Sequence, residues 1–113
     1  MMRRRLPETE SRYKRYIESG EKPNFATRVP LKQYRHWKVI NNEYPYDYIA
    51  AVHHLLIPKR AVEDPLLLKQ EELDEFFLIR RLMVRDYDLF MENAPRRSSL
   101  KDWYHVHLIK LKD

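Results

Sequence analysis

The sequence predicts an α+β fold: a mostly antiparallel sheet with one long helix packed on it and a short helix near the N-terminus. Three observations predict it. Short runs rich in β-branched and aromatic residues are separated by turn residues. One stretch, Lys69 to about Val84, carries apolar residues at helical spacing. The chain has 113 residues, which suits one modest core.

The elements follow in order. Pro7 to Ser19 reads as the short helix, because proline suits a first turn, Glu8 and Glu10 suit its positive end, and Gly20 suits the stop. Residues 21–35 carry Pro23 and Pro30 and read as loop. His36 to Ile40 is the first predicted strand, broken by Asn41-Asn42-Glu43-Tyr44-Pro45. Val52 to Ile57 is the second, ended by Pro58. In the long helix, Leu73, Phe76, Phe77, Met83 and Val84 form the apolar face, with acidic residues first and basic residues last, as the helix dipole favours. Tyr87 to Glu92 is the third strand. Trp103 to Leu111 is the fourth, apolar or aromatic on both faces and so expected to be central. Residues 1–35 thus form a basic N-terminal extension, with Arg3 to Arg5 as a flexible arm, and residues 36–113 form the domain.

Composition excludes several function classes. There is no cysteine, so disulfides, thiol nucleophiles and Cys-ligated metals are out. Gly20 is the only glycine, so neither a P-loop nor a Rossmann phosphate loop is present. No apolar run approaches the roughly 20 residues that cross a bilayer, and none follows the basic Met1–Arg5 as in a secretory signal. No membrane association and a cytoplasmic location are the expectation. The net charge of +5 favours an anionic partner.

The chemistry concentrates in Trp103-Tyr104-His105-Val106-His107-Leu108-Ile109. Strand alternation puts Trp103, His105, His107, Ile109 and Leu111 on one face, with the imidazoles roughly 7 Å apart along the strand. Such a pair can be two hydrogen-bonded core histidines. It can supply a nucleophile or an acid–base pair. It can also bind metal, with His53 or His54 as a third ligand; no carboxylate spacing supports that, and no metal or cofactor is expected. His36 and His54 read as ordinary, with His54 facing opposite to His53. Trp37, Tyr46 and Tyr48 suit core or pocket wall. The acidic cluster at 71–75 reads as a solvated helix start.

Tyr44-Pro45-Tyr46-Asp47, then His53-His54-Leu55-Leu56-Ile57-Pro58-Lys59-Arg60, then Asn93 ahead of His105-Val106-His107, resembles the histidine triad (HIT) superfamily over roughly residues 36–111. The resemblance implies a HIT-like fold that binds a nucleotide or nucleotide-sugar phosphate on one sheet face. It implies a hydrolase or nucleotidyltransferase acting at the α-phosphate, in which His107 attacks phosphorus and carries the nucleotidyl group while His105 orients it. It places His53 and Asn93 at the phosphate and Asn42 at the ribose, and it makes a homodimer an expectation.

Departures from the family pattern are specific. Ile109 stands where the third histidine is usual. Leu100-Lys101-Asp102 replaces the usual Gly-Gln-Ser stretch, which leaves Ser98 and Ser99 as the serines near the phosphate and Arg96, Arg97 and Lys101 as its charges. Ala61 follows the Ile-Pro-Lys-Arg run where histidine is common. These departures carry the alternative, a catalytically degenerate HIT scaffold that binds a nucleotide or partner. A basic nucleic-acid-binding protein is the third reading, less favoured.

Overall fold

The computed structural model describes residues 3–22, 24–94 and 103–113. Two helices, α1 (Pro7–Glu18) and α2 (Gln70–Leu82), accompany five strands: β1 (Lys32–Gln33), β2 (Trp37–Asn41), β3 (Ala50–Pro58), β4 (Leu89–Met91) and β5 (Val106–Leu111). All strand pairs are antiparallel, and the order across the sheet is β1-β2-β3-β5-β4. α2 is extended by a 3₁₀ turn at Met83–Arg85 and carries the chain from β3 to the far edge, and β5 returns between them. The α+β class, the antiparallel sheet and both helices agree with the sequence expectation.

Strand alternation divides the core into two layers. On one face Trp37, Val39, Leu56, Val106 and Leu108 meet Ile79 and Met83 of α2. Trp37 is fully buried, and its indole N–H donates to the Glu72 carbonyl at 2.8 Å, so its one polar atom is satisfied. Burying a side chain such as Ile79 stabilises by about 2 kcal/mol. On the opposite face Phe25, Ile40, Leu55 and Ile57 form one cluster, and Tyr46, Ala50 and Ile109 another.

That second face is covered by the N-terminal segment. Phe25 sits in a 3₁₀ turn, Phe25–Thr27, and is buried in the core. The start of α1 has no capping side chain of its own, because Leu6 occupies the N-cap. Asp47, from the turn before β3, ties this end down by accepting hydrogen bonds from the Leu6 N–H and the Thr9 hydroxyl. Burial would raise the Asp47 carboxyl, but the Thr9 and Leu6 hydrogen bonds outweigh it and hold the group below its usual range.

Four details differ from the sequence reading. Lys32–Gln33 pairs with Val39 and Lys38 as a short edge strand where loop was expected; two residues are too few for a periodic signal. The last strand begins at Val106 instead of Trp103. The preceding residues bond outside the ladder, Trp103 through its indole to the Pro58 carbonyl and Tyr104 through its N–H to the Val62 carbonyl. The acidic residues at the start of α2 are not simply solvated. Glu72 is buried against Arg60 and the Lys69 N–H, and Glu75 accepts from the backbone N–H groups of Arg35 and His36. Arg4 and Arg5 are not a flexible arm, because they pack on the tyrosines of the second face.

Candidate functional site

A cavity of about 280 Å³ opens between the second sheet face and the N-terminal segment. Its wall includes His105 and His107, Asn42 and Asn93, Arg5 and Arg28, and the rings of Tyr13, Tyr16, Phe25, Tyr44 and Tyr46. α1 supplies Tyr13 and Tyr16, which are three residues apart and therefore share a helix face. Both rings pack against Tyr44, at 5.5 and 5.1 Å between centroids.

The antiparallel pairing of β3 with β5 sets Leu55 opposite His107 and His53 opposite Ile109. His53 and His107 are therefore diagonal neighbours on one face, within reach of each other. His53 Nε2 lies 2.8 Å from His107 Nδ1, and the Tyr46 N–H donates to His53 Nδ1 at 2.9 Å. This fixes the direction of every proton in the chain. A backbone N–H can only donate, so His53 Nδ1 is an acceptor and its proton sits on Nε2. That proton is donated to His107 Nδ1. The proton of neutral His107 therefore sits on Nε2, an atom that is buried and has no hydrogen-bond partner among the described residues.

His105 has the opposite polarity. Its Nδ1–H donates to the Trp103 carbonyl at 2.9 Å, which leaves the lone pair on Nε2. Two imidazoles of opposite tautomer thus stand side by side, His107 protonated on Nε2 and His105 on Nδ1, with ring centroids 5.1 Å apart.

All three rings are held neutral. Burial pushes His53 down to about 3, reinforced by the Arg5 charge and by His54 and His105. Burial likewise pushes His107 down to about 2, with His105, His53, Arg5 and Arg4 adding to it. Burial lowers His105 as well, opposed by its hydrogen bond to the Trp103 carbonyl. The geometry agrees with these shifts, because a proton on His53 Nδ1 would face the Tyr46 N–H head on.

The other expected site residues fall as follows. Asn42 lines the cavity; its carbonyl oxygen accepts from the Tyr44 N–H at 2.9 Å, and its amide nitrogen lies 3.3 Å from His53 Nε2. Asn93 lines it too, accepting from Arg4 at 3.2 Å and donating to the Tyr46 hydroxyl at 3.2 Å. His53 stands behind His107 and does not form part of this wall. Ile109 is fully buried with Tyr46 and Ala50, so the third position of the histidine run is core. His54 faces opposite to His53, as expected, and bonds the Tyr87 hydroxyl at 2.7 Å. Ser98 and Ser99 lie outside the described residues, as do Arg96, Arg97 and Lys101. Among the described residues no cluster of three or more His, Asp or Glu is arranged for a metal ion.

The sequence reading missed Arg5, Tyr13, Tyr16, Phe25 and Arg28, all from residues 1–35. The one legible signal was the Tyr13/Tyr16 spacing on a helix that also carries Arg12 and Arg15. No helix of the described residues is long and apolar enough to cross a membrane. No protein-family model matches the chain, and no curated protein matches it significantly.

Proposed function

We propose that this is a HIT-like nucleotide-binding protein whose ligand occupies the cavity between β3, β5 and the N-terminal segment. The observation that carries the reading is the convergence there of four residues the HIT resemblance singles out, His105, His107, Asn42 and Asn93, from three separate parts of the chain. The aromatic wall suits a planar base and the arginines suit a phosphate. A volume of about 280 Å³ is at the lower end of small-molecule sites, which favours one nucleoside unit over two.

Two chemical outcomes separate on one detail. A nucleotidyl-histidine on His107 needs a lone pair on the nitrogen that faces the ligand. The hydrogen-bond chain from Tyr46 through His53 puts a proton on His107 Nε2 instead. In its resting tautomer His107 Nε2 therefore has no lone pair to offer phosphorus and is itself buried, and the buried Ile109 offers no further proton relay. This favours the binding module over the hydrolase or nucleotidyltransferase.

The test is calorimetric titration with nucleoside monophosphates alongside a turnover assay on a nucleoside phosphoramidate and a nucleotide sugar, for wild type and His107→Ala. Binding without turnover by wild type is the expected result. Turnover by wild type that disappears in His107→Ala would make the protein an enzyme and require a tautomer shift along the histidine chain. Neither binding nor turnover by the folded wild type would refute the nucleotide reading.

A further inference from the structure

We infer that Arg5 is the residue that selects an anionic ligand in this cavity, its guanidinium taking the phosphate or carboxylate group. The inference rests on the cavity being a ligand site, as proposed above, and assigns its anionic end to the N-terminal segment instead of to the histidines.

Charge is the first argument. His53, His105 and His107 are all held neutral, so at pH 7 the histidine run brings no positive charge to the cavity. Two other cations line the wall: Arg28 is anchored by donating to the Asn41 carbonyl at 2.7 Å, its contact with Glu43 being as long as that of Arg5 with Glu10, and Lys22 is an exposed residue.

Orientation is the second. The Arg5 side chain is only 12% exposed. Its guanidinium carbon lies 3.9 Å from the centroid of the Tyr13 ring and 4.8 Å from that of Tyr46. Its Nε–H donates to the Tyr44 carbonyl at 2.8 Å, which fixes the plane of the fork. Among the described residues the carboxylate that contacts it is Glu10, at a long 3.5 Å and 40% exposed, a contact of little strength. Its hydrogen bonds to Tyr44 and Glu10 run through Nε and Nη1, and the Tyr13 hydroxyl lies close enough to share a weaker one with the guanidinium. A guanidinium that is held on aromatic rings, anchored by one N–H and engaged at its other edge only by weak contacts is preorganised for a bidentate oxyanion that displaces them. The ammonium of a lysine in its place would keep the charge and lose the fork.

The experiment compares wild type, Arg5→Lys, Arg5→Gln and Arg15→Gln, the last an exposed position of α1 outside the cavity wall. Each is titrated with the four nucleoside 5′-monophosphates and the matching nucleosides, followed by tryptophan and tyrosine fluorescence, with thermal melts to verify folding. The readout is the ratio of monophosphate to nucleoside affinity. Wild type and Arg15→Gln should prefer the monophosphate by about 10- to 100-fold, the range for a charge-assisted hydrogen bond. Arg5→Gln should bring the ratio close to one while nucleoside affinity persists, and Arg5→Lys should fall between. An unchanged ratio in Arg5→Gln, or equal loss for nucleoside and monophosphate, would overturn the inference and leave Arg5 a packing residue. If wild type binds neither class, the nucleotide reading fails, and phenyl phosphate decides the Arg5 assignment separately. Binding that Arg5→Gln abolishes upholds it, and no binding by wild type overturns it.

Discussion

Lowering the pH from 7 to 5 should destabilise this protein by about 4 kcal/mol through His53 and His107 alone. Both side chains are nearly fully buried, 3% and 4% exposed. Both resist protonation in the folded state, with values of about 3 and about 2, against about 6.5 in the unfolded chain. The sign follows from proton counting. Between the folded and unfolded values the unfolded chain binds more protons, so stability rises with pH and falls on acidification. Above about pH 6.5 the two states bind equally and the effect vanishes. At pH 5 each ring has forgone about 1.5 pH units of protonation, worth about 2 kcal/mol at 1.36 kcal/mol per unit. His54 and His105, lowered mainly by burial, act in the same direction. Asp47 and Glu72, whose carboxyls are held low in the folded state, contribute stability that is present above their unfolded values and lost below about pH 4, so they leave this window clear. The assay is urea unfolding at pH 7, 6 and 5, read by the fluorescence of Trp37 and Trp103. The double variant His53→Leu/His107→Leu should flatten the profile by about the same 4 kcal/mol. A wild-type stability that changes by less than about 1 kcal/mol over this range would refute the claim that burial and the Tyr46 N–H hold the pair neutral.

Two further predictions follow from single contacts. Long-range nitrogen–proton NMR correlations of the imidazoles at pH 7 should find the proton on Nε2 in His53 and His107 and on Nδ1 in His105; Nδ1 protonation of His107 would reverse the assigned direction of the hydrogen-bond chain. Asp47→Ala should cost about 1–3 kcal/mol, the range for lost hydrogen bonds to a charged group, with hydrogen exchange accelerating in α1 while the β3 and β5 amides stay protected; equal acceleration throughout would mean that α1 does not detach separately.

Much of the fold was legible because periodicity is a local property. The alternation expected from Trp103 to Leu111 assigned His105, His107 and Ile109 to one face without reference to any partner, although β5 itself starts only at Val106, and the alternation of β3 correctly put His54 opposite to His53. The helical spacing of Leu73, Phe76 and Met83 located α2, but Phe77 and Val84, expected on the same apolar face, are 59% and 61% exposed, and Ile79 is buried instead. What sequence reading lost were features without a period: a two-residue edge strand, and a strand start postponed to Val106 by bonds from Trp103 and Tyr104 to residues over 40 positions away.

The candidate site divides along the same line. The residue types were readable, since two histidines in an apolar strand and an asparagine at a turn are conspicuous on their own. Their working state was not. His53 and His107 are 54 positions apart, and only the β3–β5 register brings their nitrogens to 2.8 Å. Only the placement of the Tyr46 N–H then decides which nitrogen carries each proton. The basic start of the chain was plain from composition, yet its docking depends on Asp47 holding Leu6 and Thr9 from about 40 residues downstream and on Tyr13 and Tyr46, from two different segments, meeting Arg5. Sequence by itself determined which side chains share a face, because that follows from backbone geometry within one element. Tertiary structure decided which of them touch, which are dehydrated and which way their hydrogen bonds run, because those depend on the pairing of segments remote along the chain.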